Sequence, residues 1–540
     1  MTAAETAPDN APETNPEMTP ATAHSRPGLR RQRHLLLWLV LLILAVGVII
    51  AYQRFTRTEP VTYADPVEHF KYGSIGSEPV NGIPYWIFQA LPRMFADKLP
   101  PGAPTDYRAF GLLYEPGKDL PIGTSQRKVM GIDRVWLNCS VCHVGTVRAE
   151  PGGEQQLILG APSNNLRLFD FIQFMRAAAI DNRWQPDYVF EKISAAGGDL
   201  GPLQRLIYRF FVIDQVRAGL LALDDQLSFL DRQAALGHNW GPGRVDTFNP
   251  YKKIQFNYDM ARIPDAELSG AADYPSIWMQ RPRQGMNLHW DGNNASVEER
   301  NLSASLGAGV TPTTIDMASL ERIRDWLWDL PAPAFPAEHI DQAKAAAGAP
   351  LYARYCATCH GAPGSDGGYD YDRARHPRLG EVEPLAAIGT DPGRWRSYTP
   401  AFAADQNLLY AGYPRPSDDC DEHLCSARFS HFKKTDGYAN QPLDGIWARS
   451  PYLHNGSVPT LRALLDPAEQ RPLTFQRGSD VFDWDAVGYR YGPSADGSDT
   501  AFLFDTRNPG NSNSGHAGPA YGTELPAADK DAIVEYMKTF

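Results

Sequence analysis

The chain has 540 residues, of which 43% are hydrophobic, and a formal net charge of -12. That length accommodates two or more domains with a sizeable core, and the acidic balance excludes nucleic acid as an expected partner, since phosphate contact requires a basic surface. The 46 glycines and 45 prolines are spread along the chain rather than gathered in a repeat, which predicts many loops.

Residues 1–25 are rich in Ala, Pro, Thr and Glu and lack apolar periodicity. Such a composition cannot build a core, and residues 1–34 are expected to form a disordered tail. From Leu35 to Tyr52 the chain carries no charge, a run long enough to span a bilayer as a helix. Arg26, Arg30, Arg31 and Arg33 precede it, while only Arg54 and Arg57 closely follow. The positive-inside bias then keeps the tail cytoplasmic and exports the rest. A cleaved signal peptide is the alternative, but no convincing small-x-small site closes the apolar stretch. Residues 35–52 are therefore read as an uncleaved single-pass anchor.

Residues 60–330 form the first expected body domain, and early in it stands VWLNCSVCHVG, residues 135–145, with Cys139, Cys142 and His143. The same spelling returns in ARYCATCHGAPG, residues 353–364, with Cys356, Cys359 and His360. Covalent haem attachment needs two thiols at fixed spacing and an adjacent imidazole to bond the iron, and C-x-x-C-H supplies all three within one turn. Zinc usually brings a second Cys or His pair at close range, and the first histidine after His143 is His238. A redox dithiol requires neither the histidine nor a second copy. Two covalently attached c-type haems are expected, with His143 and His360 as proximal iron ligands. Haem attachment to an exported chain places the body in a bacterial periplasm, tethered to the inner membrane.

Within the first domain, NLRLFDFIQFMRAAAI and GPLQRLIYRFFVIDQVRAGLLAL read as helices. MASLERIRDWLWDL does too, with Leu320, Ile323, Leu327 and Leu330 at helical spacing. Three prolines in quick succession stop that helix, and residues 331–342 are a Pro-rich linker. Residues 343–540 are then expected to be a cytochrome c domain, in which a helix over 343–355 runs into the second haem motif. PAADKDAIVEYMKTF closes it as a helix with Ile533, Tyr536, Met537 and Phe540 on one face. The fold class is mainly α: two cytochrome c-like domains with loop-rich insertions, preceded by one transmembrane helix. Cys420 and Cys425 pair most simply as a local disulfide in an exposed acidic loop, a metal site with His423 being the minor alternative.

The sixth iron position decides between catalysis and electron transfer, because a haem closed by two strong protein ligands only passes electrons. After His360 come His376, His423, His431, His454 and His516, whereas the one later methionine, Met537, falls on the closing helix and reads as core. A His/His second haem is expected. The residues alone do not rank His454 against His516.

LDGIWARSPYLHNGSVPTLRALL, residues 443–465, resembles a stretch found in bacterial dihaem cytochrome c peroxidases, their methylamine-utilisation relative and the dihaem rubber oxygenases. HAGPAYGTEL, residues 516–525, is similar to the peroxidase segment that opens on a methionine ligand of the C-terminal haem and reaches a glycine six residues later, here Gly522. The resemblance implies His516 as distal ligand of haem 2 and His454 as a group beside the haem propionates. LHWDGNNASVEER, residues 288–300, is similar to the peroxidase stretch whose tryptophan lies between the haems, which implies that role for Trp290. The family glutamine ten residues on is Arg300 here, and the peroxidase acid/base glutamate falls by count at Val310, or at Asp316 if an insertion is allowed. The resemblance also implies two packed cytochrome c-like domains and adds a calcium ion between them as a candidate cofactor, without assignable ligands.

Peroxide cleavage benefits from a distal base, and an apolar Val310 would leave that base out, as in the rubber oxygenases. No histidine between His143 and His238 is available to close haem 1 as in the peroxidases. Haem 1 is thus expected to be open to peroxide or dioxygen, with Trp290 and Arg300 as candidate catalytic residues and an apolar organic molecule as a candidate substrate. Haem 2 would store or transfer electrons to a periplasmic donor or acceptor. The alternative is a non-catalytic, membrane-tethered electron carrier.

Overall fold

The route into the first haem motif is a β-hairpin. In TSQRKVMGIDRVWL the two strands β3 (Thr124–Val129) and β4 (Ile132–Leu137) pair antiparallel, with Val129 opposite Ile132. Met130 and Gly131 make the two-residue turn, with φ of 52° and 76°, the left-handed pair that matches strand twist in tight hairpins. Strands β1 (Thr58–Pro60) and β2 (Ile83–Pro84) flank this hairpin, giving a four-stranded sheet in the order β1-β3-β4-β2. In the computed structural model the described residues are 27–365, 367–412, 428–492 and 502–540, without the side chains of residues 27–30, 54 and 55. The proposed Cys420–Cys425 pair, with His423, lies outside them, as do residues 1–26.

The chain divides into two units, Met1–Arg57 and Thr58–Phe540. Of the first, the described part is one helix, α1 (Pro27–Thr56), in which Arg31–Gln53 is long and apolar enough to cross a membrane. Helix thus extends N-terminal to the uncharged run, through residues that are mostly good helix formers after a proline at the first position.

The second unit is helix-rich, as expected, and the helices read from the sequence fall at the expected places, while others, such as Tyr85–Met94 and Asn249–Phe256, were not anticipated. The former include Leu168–Ala179, a continuous run from Pro202 to Gln226 with a π-helical turn at Tyr208–Val212, and Met317–Trp328. The expectation of a mainly α body needs one correction. Seven small antiparallel sheets are formed among the described residues, and the sheet leading to Cys139 is organised by the tight Met130–Gly131 turn and its antiparallel pairing.

The second haem motif is reached by a helix. Asp341 caps Gln342–Tyr355 by accepting from the amides of Ala343 and Lys344, both at 3.1 Å. This helix packs along the closing helix Ala527–Met537. At the crossing stands Gly348, where a Cβ would run into the carbonyl oxygen of Ala532. Tyr352 then stacks against Tyr536 and Phe540, with ring centroids 5.4 and 4.8 Å away. Met537 is buried in the same cluster.

The cores are interleaved along the sequence. Phe70, Phe248 and Leu306 share a cluster with Tyr398, Phe402, Phe429 and Phe432, while Val147, Ala161 and Trp278 join Tyr352, Trp447 and Ile533 in another.

Candidate haem centres

Strand β4 ends at Leu137, and Asn138 caps the turn Cys139–Val141 by accepting from the Ser140 amide at 3.0 Å. Its amide group donates to the carbonyls of Lys71 and Gly73, which pins the first motif to the preceding chain. In the second motif, Ala357–His360 form one helical turn. Tyr352 Oη donates to Gly361 O at 2.9 Å and Tyr369 Oη to His360 O at 2.5 Å, holding the turn closed.

Both motif histidines are oriented in the same way. His143 Nδ1 donates to Pro275 O at 3.0 Å and His360 Nδ1 donates to Gln441 O at 2.7 Å. A carbonyl on Nδ1 fixes the tautomer and presents Nε2 with its lone pair, the usual support for a metal-bound imidazole. Burial, with the charge of Arg300, pushes His143 down to about 4, and burial lowers His360 as well. Burial pushes the thiols up, to about 11 for Cys139 and about 12 for Cys142 and Cys356, and raises Cys359. Neutral thiols beside neutral imidazoles are poorly suited to thiolate chemistry and fit uncharged thioether links. Among the described residues no group of three or more His, Cys, Asp or Glu converges as a metal cage.

The two sites differ in what faces the imidazole. The ring of His516 lies opposite that of His360, centroids 6.2 Å apart and planes at 45°. Two metal–nitrogen bonds of ~2.0–2.1 Å each, plus half a ring on either side, span about that distance, so the pair fits one iron between them. His516 has φ of 47°, and Arg471 holds its loop by donating to the carbonyls of Asn513, Gly515 and His516 at 2.6, 2.8 and 3.0 Å. Burial, with His360 nearby, pushes His516 down to about 3, and its buried Nδ1 has no hydrogen-bond partner. Among the described residues, two other later histidines are committed elsewhere: His376 meets Asp370 at 3.2 Å and His431 meets Glu299 at 2.8 Å. His454 stacks on Tyr438 with centroids 4.2 Å apart, and its Nε2 is unpaired.

Against His143, by contrast, the neighbouring ring among the described residues is that of Tyr274, 6.4 Å away, and no second imidazole faces it. Arg300 sits on the helix Val297–Gly307, buried, with Asn301 Oδ1 accepting from it at 3.0 Å and no carboxylate at ion-pair distance among the described residues. Burial pushes its guanidinium down to about 10. Val310 is fully buried in an apolar cluster with Leu302, Leu306 and Ile323. Asp316, the alternative position for an acid/base group, is occupied otherwise: it caps Met317–Trp328 and pairs with Arg127 at 2.5 Å.

Trp290 lies on a path of hydrogen bonds and peptide links between the two motif histidines. Its Nε1 donates to Asp273 O at 2.8 Å, two residues before the Pro275 carbonyl that holds His143. On the other side, Gln441 Nε2 donates to His289 O at 3.1 Å, and the Gln441 carbonyl holds His360. The Asp273 amide also donates to His454 O at 2.9 Å, so His454 belongs to this bridge rather than to the face of His360. Tyr274, Pro275 and Gln441 were not anticipated. The two carbonyls leave no trace in residue identity, and Gln441 lies just ahead of the recognisable stretch at 443–465.

Residues 437–476, which contain Gln441 and His454, match a family model described as RoxA-like, cytochrome c-like. Two uncharacterized proteins of Sinorhizobium fredii are similar to the chain. One, y4iM, is 34% identical over 294 residues, covering 49% of this chain and 64% of that protein. The other, y4iJ, is 27% identical over 532 residues, covering 82% of this chain and 85% of that protein. The chain therefore spans less than two thirds of y4iM. The peptide segment that orients His360 is thus RoxA-like and cytochrome c-like, which implies covalently bound haem and suggests a haem-dependent oxidoreductase.

Proposed function

We propose that the chain is a membrane-anchored, periplasmic dihaem c-type oxidoreductase of the bacterial inner membrane, with an open haem at Cys139, Cys142 and His143 and a closed one at Cys356, Cys359 and His360. The observation that carries this reading is the asymmetry of the two imidazoles: His360 faces His516 at 6.2 Å, and His143 faces no second imidazole among the described residues. A haem with a free sixth position binds and activates peroxide or dioxygen, and one held by two histidines passes or stores electrons. The chain's own residues would orient the first imidazole through Pro275 O, enclose the second between His360 and His516, and link the two through Trp290.

Fully buried Val310 and the Asp316–Arg127 pair leave neither aligned position able to serve as the mobile distal base that favours peroxide cleavage. That favours dioxygen with an apolar organic substrate over peroxide. The test is an optical and paramagnetic-resonance spectrum of the purified protein, as isolated and after each oxidant. One high-spin or oxygen-bound haem that responds, beside one unresponsive low-spin haem, is expected. Two unresponsive low-spin haems would instead identify a non-catalytic electron carrier.

A further inference from the structure

An uncovered apolar surface of the body lies on the helical run Pro202–Gln226. Its π-helical turn, Tyr208–Val212, is a rare insertion that shifts the phase of a helix. Tyr208 and Val212 are buried in the core, while Phe210 and Phe211 are 59% and 63% exposed. Leu203 and Leu206 are exposed just before them, so at 1.5 Å per residue Leu203–Phe211 makes an apolar strip ~12 Å long; Leu221 is exposed farther on, beyond the exposed polar residues Asp214 and Gln215. A groove of about 470 Å³, lined by Asp187, Glu191, Arg205 and Arg209, flanks the strip, and Arg209 pairs with Asp187 across it. An apolar stripe with a charged rim is the pattern of a helix lying in a bilayer interface.

The strip is close to where the chain enters the body. The candidate span ends at Gln53 and strand β1 begins at Thr58. Thr58 pairs with Val129, and Val129 with Ile132; two ladder steps make that ~10 Å. The next residues of β4, Asp133 and Arg134, lie near enough to Tyr208 for their charges to act on its hydroxyl. Met130, at the hairpin tip beside Val129, is itself 61% exposed. One exposed apolar side chain, Met130, therefore stands beside the entry point on the sheet, and strand β4 leads from there toward the helix.

We propose that this face, Met130 with the strip Leu203–Phe211, docks into the surface of the lipid bilayer that holds the anchor, with Phe210 and Phe211 entering the acyl boundary. This rests on the anchor reading above. Docking would make the body lie on the membrane instead of swinging from its tether, and would give an apolar substrate dissolved in lipid a short path to the protein.

The test uses the full-length haem protein in lipid nanodiscs, with an environment-sensitive fluorophore on L206C, F211C or, as an exposed apolar site on another element, L503C. Blue-shifted emission quenched by lipid-borne nitroxide at positions 206 and 211, with neither effect at 503, is the expected result. Water-like emission at 206 and 211 in incorporated protein overturns the docking and leaves the anchor standing. A blue shift without nitroxide quenching overturns it in favour of a second protein copy covering the strip. Protein that does not enter nanodiscs at all overturns the anchor and the docking together.

Discussion

His454 and His516 each keep one buried nitrogen without a hydrogen-bond partner, and their neighbours separate them. His516 faces the ring of His360, whereas His454 lies on Tyr438 and joins the Trp290 bridge through the Asp273 peptide. His516→Ala should therefore convert the second haem from low to high spin, and His454→Ala should leave its spin state unchanged; low-temperature paramagnetic resonance of both variants checks the assignment. Arg300 is a second case in which surroundings decide the role. A buried guanidinium with no carboxylate partner is costly to keep, and its charge acts on His143. A positive charge near an iron favours the reduced state, so Arg300→Met should lower the potential of the first haem, by on the order of tens of millivolts, and leave the second haem's unchanged. The same replacement should not lower the melting temperature, because it removes an unpaired buried charge. Spectroelectrochemistry and a thermal melt of one variant read both effects.

Between elements, the tightest dependence on one residue is at Gly348. Gly→Ala inside a helix ordinarily stabilises by roughly 0.5–1 kcal/mol. Here the added methyl would meet the Ala532 carbonyl of the closing helix, so the sign should reverse, with a loss of about 1–3 kcal/mol from overpacking. Denaturant midpoints of Gly348→Ala and of Ala346→Ser, on the exposed face of the same helix, make the comparison. The closing helix was legible in the sequence because Ile533, Tyr536, Met537 and Phe540 fall on one face, and the helix before Cys356 because it runs from the Pro-rich linker into the motif. The β3–β4 hairpin was not legible in the sequence, because its strands have little apolar contrast between faces: Thr124, Ser125 and Arg127 are all buried. What no local pattern carries is the set of peptide carbonyls that orient the histidines. Pro275 and Gln441 act through atoms common to every residue, and only the folded path of the chain brings them to the imidazoles.

At the scale of the whole body, two copies of one motif on either side of a Pro-rich linker suggest two packed cytochrome c-like domains, and Thr58–Phe540 is one compact unit. The contacts that tie it together come from residues far apart in sequence, where spacing offers no signal. Three buried ion pairs cross the linker: Asp273–Arg477 at 2.9 Å, Arg283–Asp444 at 2.6 Å and Asp291–Arg394 at 3.0 Å. Tyr398 and Phe402 likewise complete a core begun by Phe70 and Phe248. Losing one partner of such a pair strands a buried charge, at about 3–5 kcal/mol, so neither half can open without penalising the other. Thermal unfolding should then be one transition, with the spectra of both haems changing together. Arg394→Met, which leaves Asp291 without its cation, should lower that single midpoint for both haems alike. Calorimetry combined with absorbance at wavelengths that distinguish the high-spin from the low-spin haem makes the test. Two transitions, with only the second haem shifted by the substitution, would mean that the linker separates independently folding domains and that the buried pairs crossing it couple them only weakly.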